Sequence, residues 1–447
     1  MRVITYGTFD LFHDGHRRLL ERAKELGDYL IVAVTTENFD DARGKLNVQQ
    51  SLMDRIRNVQ ESGIADEVII EEYEGQKIND IQKHSVDIFA IGSDWLGKFD
   101  YLGDYCKVVY LERTKGVSST MLRNETAGIL RIGVIGTGRI ANRFVDEARF
   151  VSGVDIEGVY SRDAGNVRDF TAAHELDLGA SSITELLDAV DAVYVATPHD
   201  SHEAYVRQAI EAGKHVLCEK PMTLSSARTE ELYALAEEHD VVLVEAIKTA
   251  FSPGFQRMVA VARSGSIGDV RSVEATFTKL TSPPARELDP AHDGGSLSEL
   301  ATYPLLAIVK LLGEGHVDLQ SSSLWSQDLG VETFSRLNLR YPHAIASATT
   351  GLGVKSEGCL IVAGTKGYIY VPAPWWKTEY FEARFENQSE NKKFYYKFDG
   401  DGLRYEIAEF SSMIRRGDRE TFKLRASESV WIAGIIESAR ANAEHFA

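Results

Sequence analysis

The chain has 447 residues, of which 44% are hydrophobic, 9% aromatic and 26% charged, and 49 basic against 67 acidic residues give a formal net charge of -18. This length predicts two or three hydrophobic cores, and the composition is that of a folded globular enzyme without low-complexity segments. The negative charge argues against nucleic acid or an anionic membrane as the main partner.

The N-terminal part of the chain predicts a small parallel-sheet domain. An apolar strand at residues 2–7 is followed by apolar residues at helical spacing and by the buried-type strand YLIVAVTT, which together form a βαβ unit. The apolar runs VDIFAIGSDW and CKVVYLERT predict two further strands. The polar stretch STMLRNETAG then leads directly into another strand, so we predict a first domain at residues 1–127.

The sequence after residue 127 predicts two more domains, and the whole chain is predicted to have an α/β fold. From residue 128, ILRIGVIG, IEGVYSR, AVYVATP, HVLCEKP and VVLVEA recur as strands separated by helical stretches, which indicates a doubly wound NAD(P)-binding Rossmann domain at residues 128–250. Beyond it, runs such as VRSVEATFTKL, SRLNLRYP, AIASATTG and GYIYVPAP lack intervening helices. They predict a C-terminal α+β domain at residues 251–447 with a mostly antiparallel sheet.

A histidine pair occurs at the first strand-to-helix turn. Because His13 and His16 are three residues apart, both rings can face the same side of the helix N-terminus, where amide groups and the helix dipole attract a triphosphate. Imidazoles at that place donate hydrogen bonds to oxygens whose charge grows during attack at phosphorus, and Gly15 permits close approach. Taken alone, the four letters HDGH also fit a chance metal pair or surface polarity.

The wider context of this motif is specific. The segments GTFDLFHDGH, IGSDWLGKFDYL and CKVVYLERTKGVSST resemble the glycerol-3-phosphate cytidylyltransferase family along essentially all of residues 1–125. The resemblance implies an N-terminal nucleotidyltransferase Rossmann-like domain that transfers CMP from CTP to the phosphate of a small polyol, releases pyrophosphate and uses Mg²⁺. It implies that His13, His16 and Arg113 are catalytic.

The same resemblance carries over positions that contact the nucleotide. They are Thr8, Phe9, Asp10, Gly15, Lys45, Arg55, Asp94, Thr114, Ser118, Ser119 and Thr120. Two positions depart from the family pattern: Lys115 stands where an acid is common, and Glu74 stands where glycerol-phosphate relatives tend to have tryptophan. The second departure leaves the identity of the acceptor open. No metal-ligating residue is predicted, and Cys106, Cys218 and Cys359 are expected to be core thiols.

A second nucleotide motif, GTGRIA, begins at Gly136. It follows a strand and precedes a helix, the context in which a glycine-rich turn lets a pyrophosphate approach the helix N-terminus, although a tight turn without a ligand is the alternative. With DAVYVATPHDSH, HVLCEKP, EAIKTAFSP and SGSIGDV, it resembles the glucose-fructose oxidoreductase and inositol dehydrogenase family (Gfo/Idh/MocA) over most of residues 130–447.

This second resemblance implies a nicotinamide-dependent active site. Lys220 is expected beside the nicotinamide and the reacting oxygen, where a partly desolvated lysine exchanges protons, and an exposed lysine at a strand end is the alternative. Glu299 and Tyr303 fall where the family has an aspartate followed by histidine or tyrosine. Tyr303 is expected to donate a proton to a carbonyl, or else to be only a packed ring.

The implied cofactor contacts come from several segments. They are Gly136, Gly138, Arg139, Ile140, Ser161, Arg162, Thr197, Pro198, His202, Glu219 and Lys248, the last near the substrate cleft. An acid about 20 residues after the glycine motif favours NAD, whereas arginine accommodates the phosphate of NADP. Because the strand IEGVYSRD ends in Ser161 and Arg162, the preferred cofactor is NADP, with NAD as the alternative.

The fusion of the two activities suggests consecutive steps. We expect reduction of a keto-sugar phosphate to a polyol phosphate, followed by formation of a CDP-polyol for a cell-surface polymer. The alternatives are an oxidoreductase half that acts on a CDP-linked product, a non-catalytic NADP sensor, and a degenerate N-terminal scaffold. Met1 runs directly into a strand and no segment is apolar enough for a membrane span, so we expect a cytoplasmic protein and, as in related families, a homo-oligomer.

Overall fold

The computed structural model describes residues 1–36, 39–40, 44–112 and 128–446. The chain forms two compact units, one of residues 1–132 with 145–189 and the other of residues 133–144 with 190–447. The predicted first domain therefore shares a unit with the middle part of the predicted second domain. Within the described ranges, no helix is both long enough and apolar enough to cross a membrane.

The first sheet contains five parallel strands in the order β3-β2-β1-β4-β5. Their bounds are β1 Arg2–Gly7, β2 Tyr29–Thr35, β3 Glu67–Glu71, β4 Ile88–Gly92 and β5 Lys107–Leu111. Among the described residues, the sheet is accompanied by the helices α1 Asp14–Lys24, α2 Leu52–Glu61 and α3 Gln76–Lys83. The strand order reverses between β1 and β4, so their carboxyl ends border the switch point at which such sheets bind ligands.

Apolar side chains cover both faces of this sheet. Val3 and Val32 pack with Leu20 of α1 on one face, and Ile4 packs with Phe89 on the other. A parallel sheet buried on both faces needs continuous apolar strands, which explains the runs VITYG and LIVAV. The expected strands are confirmed, and the helix after β1 ends at Lys24.

The second sheet has six strands in the order β11-β10-β9-β6-β7-β8. The strands are β6 Leu130–Ile135, β7 Val154–Tyr160, β8 Leu178–Gly179, β9 Ala192–Val195, β10 His215–Glu219 and β11 Leu243–Ala246. The helices are α4 Arg139–Ala148, α5 Ala164–His174, α6 Ile183–Ala189, α7 His199–Glu211 and α8 Ser226–Glu238. Read from β8, the order is that of a doubly wound dinucleotide-binding sheet, as predicted.

The third sheet has nine strands in the order β19-β18-β17-β16-β12-β15-β14-β13-β20. The strands are β12 Val270–Thr278, β13 Asp318–Ser326, β14 Val331–Arg340, β15 Ile345–Gly351, β16 Leu360–Gly364, β17 Tyr368–Val371, β18 Tyr380–Arg384, β19 Lys392–Tyr395 and β20 Glu444–Phe446. Only the pairs β12–β15 and β13–β20 are parallel among its described pairings, so the mostly antiparallel prediction is confirmed.

Six helices complete this part of the chain. They are α9 Lys248–Phe251, α10 Pro253–Arg263, α11 Ser296–Leu300, α12 Thr302–Leu312, α13 Leu403–Arg416 and α14 Ala426–Asn442. Helix α12 is buried almost throughout because it packs against both β12 and α14, and its sequence TYPLLAIVKLL is correspondingly apolar on all sides. Its first turn carries Tyr303.

Candidate functional sites

The first candidate site lies at the turn from β1 to α1. His13 is the N-cap of α1, and its Nδ1 accepts a hydrogen bond from the amide of Gly15 at 3.0 Å. The rings of His13 and His16 are stacked, with centroids 3.9 Å apart. A Cβ atom at Gly15 would lie 2.8 Å from Cε1 of His13, so a larger residue would require the His13 ring to shift. The two histidines are brought together at the helix N-terminus, as the sequence predicts.

The protonation of this pair follows from its surroundings. Because Nδ1 of His13 accepts a hydrogen bond, a neutral His13 carries its proton on Nε2 and can donate from that side. His16 is enclosed by the rings of Phe9 and Phe12, at centroid distances of 5.4 and 5.7 Å. Burial, followed by the charges of His13 and Lys45, holds the pKa of His16 well below its ordinary value. His16 is therefore neutral at physiological pH.

The predicted positions beside this pair form a supporting layer. Both carboxylate oxygens of Asp10 accept backbone hydrogen bonds, from Gln49 at 2.8 Å and from Gln50 at 2.9 Å. The hydroxyl of Thr8 donates to Asp40 at 3.0 Å. These bonds connect the end of β1 to the loop that precedes α2. The side chains of Asp10 and Thr8 therefore shape the loop around the histidines.

Arg55 is placed differently from the predicted phosphate contact. Its side chain is 0% exposed, and Nη1 donates to the carbonyls of Thr8 and Thr35 at 2.8 Å each. The carboxylate of Asp40 lies 3.6 Å from the same nitrogen. Carbonyl acceptors and a buried carboxylate satisfy a buried guanidinium, so these contacts assign Arg55 to the packing of this sheet edge.

Two further predicted positions lie on separate loops. The ammonium of Lys45 donates to the carbonyl of Arg149 at 2.7 Å. Asp94 belongs to a short 3-10 turn, Ser93–Trp95, directly after β4, and its carbonyl accepts a hydrogen bond from Arg149 at 3.3 Å. Some predicted positions fall outside the described residues, namely Arg113, Thr114, Ser118, Ser119 and Thr120.

The second candidate site begins at the glycine motif. Gly136 has φ of +115°, and a Cβ atom there would lie 2.6 Å from the carbonyl oxygen of Ala196, so only glycine fits. A Cβ atom at Gly138 would meet nothing within 4 Å, which leaves open space above the turn. Arg139 begins α4 and is exposed, and Ile140 follows it in the first turn. These features fit a pyrophosphate at the helix N-terminus.

Lys220 and Tyr303 lie together in the second unit. The ammonium of Lys220 is 5.8 Å from the ring centroid of Tyr303 and donates to the carbonyl of Glu299 at 2.9 Å. Burial, together with the charges of Glu219, Glu406 and Glu299, raises the pKa of Tyr303. The phenol is therefore protonated at neutral pH and can act as a hydrogen-bond donor.

Glu299 is the anionic centre of this cluster. Its Oε1 lies 2.8 Å from Nε2 of His199 and 3.1 Å from the guanidinium of Arg286. Burial alone would raise the pKa of Glu299, but the bond with His199 and the charges of Lys220 and Arg286 lower it to about 2. No role for His199 or Arg286 is predicted from the sequence. His199 lies in the segment PHDSH, which is part of the family resemblance, whereas no local sequence feature marks Arg286 as a site residue.

Lys248 is another half-buried cation in the second unit. Burial lowers the pKa of Lys248, while the negative charges of Glu406 and Glu219 act in the opposite direction. Glu219 itself accepts a hydrogen bond from the hydroxyl of Tyr194 at 2.6 Å. A lysine with a lowered pKa releases its proton more readily, which suits a site that exchanges protons with an alkoxide. Glu406, on α13, was not predicted from the sequence.

His202 connects two loops instead of facing an open site. It is 0% exposed, and its ring nitrogens lie 2.9 Å from the carbonyl of Pro221 and 2.8 Å from that of Thr197. Burial, aided by the charge of His199, lowers the pKa of His202 to about 4. Its contacts therefore hold the loop after β9, which contains Thr197 and Pro198, against the loop after β10.

The positions predicted to select NADP follow β7. Ser161 is half-buried and Arg162 is exposed. Asp163, the first acid after the strand, is the N-cap of α5, where its carboxylate accepts hydrogen bonds from the amides of Gly165 and Asn166 at 2.7 and 3.0 Å. The carboxylate of Asp163 therefore caps the N-terminus of α5.

Comparison with known proteins assigns most of the chain. Residues 4–125 match the family described as cytidylyltransferase-like, residues 130–247 match the oxidoreductase family with an NAD-binding Rossmann fold, and residues 255–370 match the GFO/IDH/MocA C-terminal domain. Glycerol-3-phosphate cytidylyltransferase of Bacillus spizizenii is 51% identical over 128 residues, covering 29% of this chain and 98% of that protein.

The rest of the chain has a different set of relatives. Trans-1,2-dihydrobenzene-1,2-diol dehydrogenase of Sus scrofa is 29% identical over 322 residues, covering 70% of this chain and 96% of that protein. A solved 3-ketoreductase from Actinomadura kijaniata, in complex with NADP and TDP-benzene, has 24% identity and a TM-score of 0.65 over 71% of this chain and 98% of its own. The solved structure of UDP-N-acetylglucosamine 3-dehydrogenase of Acidithiobacillus ferrooxidans has 20% identity and a TM-score of 0.60, and the match covers 70% of this chain and 97% of that protein.

The solved structures show the fold of the larger part of the chain, which contains the oxidoreductase matches. The sequence matches define the family of each part. The stacked histidines lie within the cytidylyltransferase match, whereas the glycine turn and Lys220 lie within the oxidoreductase match. The chain therefore belongs to the cytidylyltransferase-like family through residues 4–125, and its residues 130–247 and 255–370 match the domains of the GFO/IDH/MocA oxidoreductase family.

Proposed function

We propose that the chain is a bifunctional cytoplasmic enzyme that makes a CDP-polyol: it reduces a keto-sugar phosphate with NADPH and then transfers CMP from CTP to the resulting polyol phosphate. The observation that carries this proposal is the presence in one chain of a stacked histidine pair at a helix N-terminus and of a cluster in which the half-buried Lys220 contacts the buried Glu299 and Tyr303. The first suits phosphoryl chemistry, and the second suits carbonyl reduction.

CMP transfer needs alignment and charge neutralisation more than a protein nucleophile. A phosphate oxygen of the polyol phosphate attacks the α-phosphorus of CTP, the bond to the β-phosphate oxygen breaks, and pyrophosphate leaves. His13 and His16 donate hydrogen bonds to oxygens that gain charge in this step, while the N-terminus of α1 attracts the phosphates. Lys45 is proposed to neutralise phosphate charge, and Mg²⁺ is proposed to enter with the triphosphate.

Carbonyl reduction is assigned to the Lys220 cluster. A nicotinamide cofactor supplies the hydride when bound, and the open turn at Gly138 with the N-terminus of α4 would hold its pyrophosphate. Tyr303 is protonated before the reaction and donates that proton to the carbonyl oxygen as negative charge develops there. The ammonium of Lys220, fixed by the carbonyl of Glu299, stabilises that charge.

The cofactor is proposed to be NADP. Arg162 is exposed after β7, and the nearby Asp163 is occupied as a helix cap. An arginine at this place accommodates a 2′-phosphate, whereas an available acid would hydrogen-bond the ribose hydroxyls of NAD.

The test follows both reactions in one sample. Purified protein is mixed with NADPH and a panel of ketose phosphates, the absorbance of NADPH is recorded, and CTP with Mg²⁺ is then added while pyrophosphate is measured. NADPH oxidation followed by CTP-dependent pyrophosphate release from the same ketose supports the proposed order and identifies the polyol. The Lys220→Ala variant is expected to lose NADPH oxidation and, when the ketose phosphate is the starting compound, pyrophosphate release as well, but to keep pyrophosphate release from a supplied polyol phosphate. Unchanged reduction in that variant would contradict the role of Lys220.

A second candidate reverses the order of the two steps. The solved neighbours include a protein titled UDP-N-acetylglucosamine 3-dehydrogenase, whose named substrate is linked to a nucleotide. In this candidate the oxidoreductase half acts on the CDP-linked product of the first half. Pyrophosphate release only from supplied polyol phosphates, with cofactor turnover only in the presence of the CDP-linked compound, would favour it. Cofactor binding without any turnover would indicate a sensor.

A further inference from the structure

The turn after α4, residues 149–152, contacts the cytidylyltransferase part of the same compact unit. The amide of Leu46 donates to the carbonyl of Phe150 at 2.7 Å, and the amide of Ser152 donates to the carbonyl of Leu46 at 2.8 Å. Together these bonds form an isolated parallel bridge between the two segments. Because a shift of either segment would leave backbone donors and acceptors unpaired, the bridge fixes the path of both.

Lys45 is held by the same turn. Its amide donates to the carbonyl of Asp40 at 2.8 Å, and its ammonium donates to the carbonyl of Arg149 at 2.7 Å. The charge of Lys45 also contributes, after burial and the charge of His13, to the lowered pKa of His16. A cation within electrostatic range of the histidine pair is thus positioned by a carbonyl from outside residues 1–127.

The loop after β4 meets the 149–152 turn from another direction. The guanidinium of Arg149 donates to the carbonyl of Asp94 at 3.3 Å. The ring of Phe150 packs edge-to-face against Trp95 at 5.8 Å, and the ammonium of Lys98 lies 5.7 Å from the same ring. The turn therefore contacts two separate loops, each of which carries a predicted nucleotide position.

We propose that the 149–152 turn is a positioning element of the cytidylyltransferase site. It sets the placement of the Lys45 and Asp94 loops at the switch point of the first sheet, so that efficient CTP binding depends on a segment of the oxidoreductase half. Arg149 and Phe150 act through those loops and do not themselves touch the nucleotide. The inference rests on the proposed cytidylyltransferase function.

The test uses the full-length chain with Arg149→Ala and Phe150→Ala made separately. The matched control is Arg168→Ala, an exposed arginine on α5 of the same unit. We expect the KM for CTP to rise about tenfold or more in the first two variants, with a smaller change in kcat, because misplaced binding groups weaken productive binding. Phe150→Tyr keeps the ring and is expected to restore the parent KM.

A double-mutant cycle separates positioning from a general loss of structure. If Phe150 acts through the loop that carries Asp94, the combined Asp94→Ala and Phe150→Ala variant has a smaller effect on the KM for CTP than the product of the two single effects. The proposal would be overturned if the two single effects on the KM for CTP multiply fully in the double variant. It would also be overturned if Arg149→Ala and Phe150→Ala have the same KM and kcat for CTP as the Arg168→Ala control.

Direct CTP binding distinguishes this inference from the function on which it rests. The Kd for CTP is measured by titration calorimetry for the parent chain and for each variant. A parent that binds CTP but releases no pyrophosphate with any polyol phosphate contradicts the proposed transfer reaction, while the ratio of Kd values between variants still decides the role of the turn. A parent that does not bind CTP overturns both.

Discussion

Replacing Glu299 by glutamine removes one negative charge from the buried cluster around Lys220 while keeping the shape of the side chain. Burial raises the pKa of Glu299, but the bond with His199 and the charges of Lys220 and Arg286 outweigh it and lower that pKa from the ordinary 4.5 to about 2. This difference corresponds to about 3 kcal/mol of stabilisation of the ionised form in the folded protein. Glu299→Gln therefore removes up to that amount at neutral pH.

The pH dependence of this effect has a defined sign. Because the folded-state pKa lies below the unfolded-state value, the stabilisation is complete above the ordinary pKa of 4.5 and is lost as the pH falls through about 2. At a pH of about 3, which lies between the folded-state and unfolded-state pKa values, about 1.4 kcal/mol of this stabilisation remains. The difference in stability between the parent and Glu299→Gln is thus expected to shrink to less than half on acidification.

Calorimetric unfolding of the full-length chain between pH of about 7 and about 3 measures this difference. At neutral pH we expect the transition that reports the second unit to shift down by about 6–12 °C, since about 1 kcal/mol moves Tm by about 2–4 °C in domains of about 150–250 residues. Glu238→Gln, an exposed position on α8, is the control and should leave Tm unchanged. An equal Tm difference at both ends of the pH range, or none at neutral pH, would refute the electrostatic reasoning.

Three further substitutions test the two sites. His16→Ala should reduce CTP-dependent pyrophosphate release at least about 100-fold while NADPH oxidation persists, and loss of both activities together would contradict separate sites. Gly136→Ala should sharply weaken NADPH binding measured by fluorescence titration, because its Cβ would lie 2.6 Å from a carbonyl oxygen. Arg162→Ala should lower the preference for NADPH over NADH about tenfold, since a charge-assisted hydrogen bond contributes about 1.5–3 kcal/mol, and an unchanged ratio relative to Arg168→Ala would rule out a phosphate contact.

The fold was predictable where the pattern was local. Parallel strands buried on both faces require continuous apolar runs, and such runs marked β1, β2, β6, β9 and β10 in the sequence. Less regular elements were not predicted, including the two-residue β8 and the C-terminal β20. Short strands at a sheet edge bury too little apolar surface to produce a recognisable sequence pattern. The pairing of β12 with β15 in parallel depends on contacts between distant segments and has no local signal.

The sequence by itself determined the parts of the sites that lie within a few residues of one another. Three-residue spacing at a helix start brought His13 and His16 together, and the turn at Gly136 needed a residue without a side chain. Only the tertiary structure decided that Arg55 packs beneath the sheet edge and that Glu299 lies between His199 and Lys220. A local turn is constrained by neighbouring backbone geometry, whereas burial and ion pairing depend on which distant segments the core brings together.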